Sequence, residues 1–275
     1  MAHPDVTVLL ARQRSGTNAL LSVLGTHPEI FCFDEVFRRD DLIRQDPVQI
    51  RGNYFHFLEE YAAGDVTRVF PDRHEEILTA YLAHLRQLAP KPLVVVDVKY
   101  NSTHHLSGTW RPIAHPTLFE WLKDRKVAVL HLTRRNYLRC LLSHLKAWES
   151  KRYYVFERPA PADMRVTVPS TWALEEMQRW QAEDDLVAAA FAGYSEYEQV
   201  EYADLFPDNS GAIAPGALDG LRAWFDVSPA FVNRASLSKQ SALPLIETVE
   251  NFPEVAAILR GTPFESCLDD EPAYR

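Results

Sequence analysis

The stretch Val6 to Leu24, VTVLLARQRSGTNALLSVL, constrains the fold more than any other part of this chain. Val6, Val8, Leu9 and Leu10 form a short apolar run rich in β-branched residues, which reads as a buried strand. Arg12 to Ser15 interrupt it with charge and hydrogen-bonding groups. Gly16 then allows close approach of the backbone to a ligand. From Thr17 the apolar positions become Leu20, Leu21 and Leu24, a spacing that predicts an amphipathic helix. Ser15, Gly16, Thr17 and Asn18 open that helix, so free backbone N–H groups and the positive dipole end face outward beside hydroxyl donors. A strand, a glycine turn and a helix N-terminus in this order make a cradle for phosphate or sulfate.

The turn also excludes a class. A Walker A loop needs GxxxxGK followed by Ser or Thr, and RQRSGTN has one glycine and no Gly-Lys pair, which disfavours a magnesium NTPase. The net charge of −9 argues against a general nucleic-acid binder. The length of 275 residues, 47% of them hydrophobic, predicts one domain over 1–275 with one substantial core. No apolar run approaches a membrane span, so a soluble, cytoplasmic protein is expected. Cys32, Cys140 and Cys267 fit neither a disulfide framework nor zinc spacing, and they read as reduced thiols with Cys32 and Cys140 buried.

Further strands and helices follow in alternation. Glu29 to Phe37 reads as a second strand running into a loop. Asp34 and Glu35 at its end lie close to the anion cradle in sequence, and an acid among Phe31, Phe33 and Phe37 has its charge disfavoured by desolvation, as a proton acceptor requires. Helical spacing covers Asn53 to Ala63 and His74 to Leu88. Leu93 to Val98, LVVVDV, is a continuous apolar run typical of a central parallel strand. Lys99 leaves it at the edge where open α/β sheets bind ligands, either to contact a ligand or to pair with Asp97 or Asp34. Val127 to Thr133 is another strand, and Arg134, Arg135 and Asn136 lead into a helix. Arg135 and Ser143 are eight residues apart, roughly 12 Å along a helix axis, and a guanidinium reaching back can share one anion with that hydroxyl. Lys151 to Pro169 predicts a pocket-covering loop. Helices are expected at Ser170 to Phe191, with Trp172 and Trp180 in the core, and at Ala217 to Phe225. Tyr197 to Tyr202 reads as the last strand, and Glu265 to Glu271 as solvated surface.

Two of these segments resemble motifs of one family. Arg14 to Asn18, RSGTN, is similar to the 5′-phosphosulfate loop of sulfotransferases, and TRRNYLRCLLSHLKA resembles their 3′-phosphate motif with Arg135 and Ser143 at its arginine and serine. The resemblance implies a P-loop-like parallel sheet flanked by helices, a three-layer α/β/α sulfotransferase fold. It implies 3′-phosphoadenosine 5′-phosphosulfate as donor, bound by Arg14, Ser15, Gly16, Thr17, Asn18, Arg135 and Ser143, with Tyr202 near the adenine and Lys239 closing over the nucleotide. Arg134 and Arg139 stand as alternatives to Arg135. Glu35 is the implied base and Arg14 and Lys99 the groups that stabilise charge, with no metal required. The family's Lys-x-His spacing is not reproduced, which leaves His104 or His105 as the second choice of base. The implied reaction moves a sulfuryl group to a hydroxyl or amine of a small-molecule or carbohydrate acceptor. The rival classes are a P-loop kinase or nucleotide phosphotransferase, marked by magnesium-dependent turnover of ATP, and a non-catalytic nucleotide-binding protein.

Overall fold

The computed structural model describes residues 5–38, 46–103, 105, 117–150, 164–208, 210–235 and 243–269. Five parallel strands form its centre: β1 (Val6–Ala11), β2 (Ile30–Phe33), β3 (Leu93–Lys99), β4 (Ala128–Thr133) and β5 (Tyr197–Glu201). Their spatial order is β2-β3-β1-β4-β5, with Leu9 opposite Asp97 on one side and Leu10 beside His131 near the other. The chain thus leaves β1 towards one edge and later crosses to the opposite one. The strand order reverses at β1, and ligands of open α/β sheets bind above such a switch point.

Alternate residues of each strand feed two cores. Val8, Leu10, Val94, Val96, Val98 and Val129 pack under α2 (Pro47–Arg51), α3 (Tyr54–Ala62), α4 (His74–Leu88) and α5 (Thr117–Asp124). Leu9, Ala11, Val95, Leu130 and Leu132 face α1 (Thr17–Leu24) and the later helix Pro215–Phe225. Helices on both faces explain why the strands read as continuous apolar runs. The α/β three-layer architecture expected from the sequence is therefore present. A third cluster joins α6 (Tyr137–Ser150), α7 (Ser170–Ala190) and the C-terminal stretch around Val255, Leu259 and Phe264. Among the described residues no helix is long and apolar enough to cross a membrane.

Tertiary contacts set several boundaries, and the burial of some residues differs from expectation. β2 ends at Phe33, just before Asp34 and Glu35, where Gln49 takes over the next backbone positions: its amide oxygen accepts from Asp34 N at 3.1 Å and its nitrogen donates to Cys32 O at 2.8 Å. Glu35 then turns at φ 31°. Leu245 to Leu259 holds two short helices, Leu245–Thr248 and Phe252–Leu259, parted where Val249 bridges to Val166 and Glu250 N donates to Val166 O at 3.0 Å. Cys32 is half-buried rather than buried, and Trp172 is exposed while Trp180 is buried. Phe264 and Cys267 are buried, so the segment read as solvated surface begins as a packed turn. Of the loop expected over Lys151 to Pro169, residues 151–163 lie outside the described residues.

Candidate functional site

Because β1 and β4 are neighbours, the turns after them meet above one end of the sheet. The turn after β1 uses left-handed backbone at Arg14 (φ 69°) and Gly16 (φ 95°). Its two arginines part company there. Arg12 points back into the protein, where it pairs with Glu183, reaches Asp184 at 2.8 Å and Trp180 O at 2.5 Å, and lies over the Tyr100 and Trp180 rings. Arg14 stays at the site. Its Nε donates to Ser143 Oγ at 3.0 Å and its Nη2 to Ser143 O at 3.2 Å, tying the turn to α6.

Gly16 is required by packing as well as by φ. A Cβ there would lie 2.3 and 2.4 Å from Cε2 and Cδ2 of Tyr202, whose ring carries the Arg134 guanidinium at 4.5 Å. Tyr202 therefore wedges between the two turns. The first helical bonds of α1 run from Ala19 and Leu20 N–H to Gly16 O, and Gly16 offers no side-chain cap. The amides of Thr17 and Asn18 precede the first intrahelical donors, as at any helix start. Asn18 Oδ1 is buried without a hydrogen-bond partner.

Lys99 closes the third side. It is 4% exposed, and its Nζ donates to Asp97 at 2.5 and 2.7 Å and to Thr17 Oγ1 at 2.5 Å, with Glu35 Oε1 at 3.9 Å. Lys99 thus makes the pair with Asp97 and also faces the anion cradle. Burial pushes the Asp97 carboxyl up from its ordinary range against the pull of Lys99, and Asp34 and Glu35 add to the rise. Glu35 Oε2 lies 3.8 Å from Arg38. Among the described residues, Asp34, Glu35 and Asp97 form the group whose oxygens, all within 4.8 Å of one another, could hold a cation. The ammonium on Asp97 opposes one.

Arg135 is placed differently from Ser143. Its side chain is 79% exposed and lies 3.9 Å from Glu201, while its backbone N–H donates to Glu201 Oε1 at 2.8 Å. Glu201 also accepts from Thr133 Oγ1 at 2.8 Å, and burial pushes its carboxyl up. Arg134 rests on Tyr202, and Arg139 is buried with Nη1 on Leu243 O at 2.9 Å. His105 stacks on Phe37 at 6.1 Å and meets Phe55 edge-on. His104 and Lys239 lie outside the described residues. The structure thus gathers Arg14, Gly16, Thr17, Lys99, Glu35 and Ser143 at one sheet end. It adds His144, which sequence reading passed over: burial, then the Arg14 charge, lower its pKa. Its position next to Ser143 was the signal available.

The fold and site define a parallel α/β protein with a glycine turn, a buried lysine and an arginine–serine contact at its switch point. The chain is similar to Nodulation protein H of Rhizobium tropici, 26% identical over 282 residues that cover 99% of this chain and 97% of that protein. No family model matches. A crystal structure of a sulfotransferase from Alicyclobacillus acidocaldarius aligns over 87% of each chain, with 12% identity and a TM-score of 0.45.

Proposed function

We propose that this protein is a sulfotransferase that takes 3′-phosphoadenosine 5′-phosphosulfate as donor and a hydroxyl or amine of a small-molecule or carbohydrate as acceptor. The observation that carries this reading is the meeting of three segments at one point: Arg14 on Ser143, and Lys99 on Thr17 with Glu35 beside it. The residues present fit such a donor. The helix start at Thr17 and Asn18, with Arg14 and Ser15, would hold the 5′ end, and Ser143 with Arg135 the 3′-phosphate, with Tyr202 beside the nucleoside. When bound, the donor supplies the sulfuryl group. Glu35 takes the acceptor's proton, while Lys99 and Arg14 offset negative charge that grows on the sulfuryl and leaving oxygens. Lys239 is the proposed closing residue. The test is a transfer assay with labelled donor and an acceptor panel, comparing the native protein with Glu35→Gln. Removal of a general base lowers kcat by about 10²–10⁴-fold with donor affinity kept; unchanged turnover in the variant removes Glu35 from that role.

A further inference from the structure

Asp184 lies within α7, and only 9% of its side chain is exposed. A buried carboxylate is costly unless it is paired and hydrogen-bonded, so its partners show what it is for. It accepts from three separate parts of the chain: Arg12 Nη2 on Oδ1 at 2.8 Å, the Tyr100 hydroxyl on Oδ1 at 2.9 Å and the Tyr137 hydroxyl on Oδ2 at 2.9 Å. Each donor belongs to a segment of the candidate site. Arg12 precedes Arg14 and Gly16 in the turn after β1, Tyr100 directly follows Lys99, and Tyr137 opens α6 between Arg135 and Ser143.

The network reaches one strand further. Because Tyr100 donates its hydrogen to Asp184, its oxygen takes the hydrogen of His131 Nε2, and His131 Nδ1 accepts from Tyr197 at 2.7 Å. Arg12 alone would not need this arrangement, since Glu183 and Trp180 O already engage it. What the second carboxylate adds is the link from Arg12 to Tyr100 and Tyr137.

We propose that Asp184 is a positioning residue for the donor: it fixes the cradle after β1 and the start of α6 at the separation that one doubly anionic ligand spans. The inference rests on the donor assignment above. Its consequence is selectivity for a nucleotide with phosphate at both ends over one with a single phosphate, because only the former needs both segments in register.

The test titrates adenosine 3′,5′-bisphosphate and AMP into the native protein, Asp184→Asn, and Asp185→Asn as an exposed neighbour on the same helix. The expected result is that Asp184→Asn lowers the preference for the bisphosphate by about tenfold or more, as for a coupling between two sites, with AMP affinity nearly unchanged and Asp185→Asn like the native protein. Tyr100→Phe combined with Tyr137→Phe removes the same links with the Arg12–Asp184 pair intact, and stands in if Asp184→Asn does not fold. An unchanged preference in these variants overturns the proposal, as does equal weakening of both ligands, the mark of general loosening. A native protein that does not prefer the bisphosphate overturns the donor assignment itself.

Discussion

Replacing Gly16 by alanine isolates the packing that brings the two turns together. The cost has two parts. A side chain at φ 95° is in left-handed backbone, which costs about 1–2 kcal/mol for an L-residue with a Cβ. The added Cβ also falls 2.3 Å from the Tyr202 ring, closer than any real contact. That ring is not free to retreat: it is 5% exposed, with Arg134 at 4.5 Å and Phe206 at 5.3 Å. Overpacking of this kind costs about 1–3 kcal/mol. Gly193 supplies the control, because it has φ 77° with nothing within 4 Å of its Cβ position, so Gly193→Ala carries the backbone cost alone. Urea denaturation of both variants should therefore separate them by the packing cost. In a Tyr202→Ala background Gly16→Ala should lose that excess and cost the same as Gly193→Ala. Equal destabilisation of Gly16→Ala and Gly193→Ala in the native background would refute the wedge.

Other perturbations follow from the same contacts. Arg12→Met leaves the buried Asp184 without its cation, while Glu183 keeps Arg179 at 3.1 Å, and should destabilise the fold by about 3–5 kcal/mol in urea denaturation; a loss below about 1 kcal/mol, the level of a surface pair, would contradict its burial. Burial and the Arg12 charge push His131 down to about 3 from 6.5, so the unfolded chain binds a proton that the folded one refuses between those values. Stability from this group is full above pH 6.5 and lost as pH falls towards 3, by up to about 1.4 kcal/mol per pH unit. His131→Gln should flatten that slope in denaturation series across the window; an unchanged slope places the acid sensitivity elsewhere. Ser143→Ala removes the hydroxyl that Arg14 Nε engages and should weaken binding of adenosine 3′,5′-bisphosphate by about tenfold, within the range for a hydrogen bond to a charged group, as read by calorimetry.

What the sequence disclosed depended on how local each cause is. The helix over His74 to Leu88 and the apolar runs at Leu93 and Val127 were legible because periodicity and burial on both faces are written into neighbouring residues. Gly16 was legible for the same reason. The end of β2 was not, since it is set by Gln49 across fifteen residues. RSGTN singled out Arg14 through its resemblance, but nothing local in RQRSGTN said where Arg12 goes: it is claimed by Glu183 and Asp184 from a helix far along the chain. Asp184 itself looks like one acid among many in a long, charged helix. Lys99 was found by its place at a strand end, but its bond to Thr17 depends on strand order, which no local pattern fixes.

The proposed donor must meet both turns at once. Thermal or chemical denaturation with saturating adenosine 3′,5′-bisphosphate, set against AMP and against ATP with magnesium, tests this directly. At one hundred times its dissociation constant the bisphosphate should stabilise the protein by about 2.7 kcal/mol, while AMP at equal concentration gives a clearly smaller shift and Arg14→Ala removes most of the gain. Equal stabilisation by AMP, or a shift confined to ATP with magnesium, would contradict it.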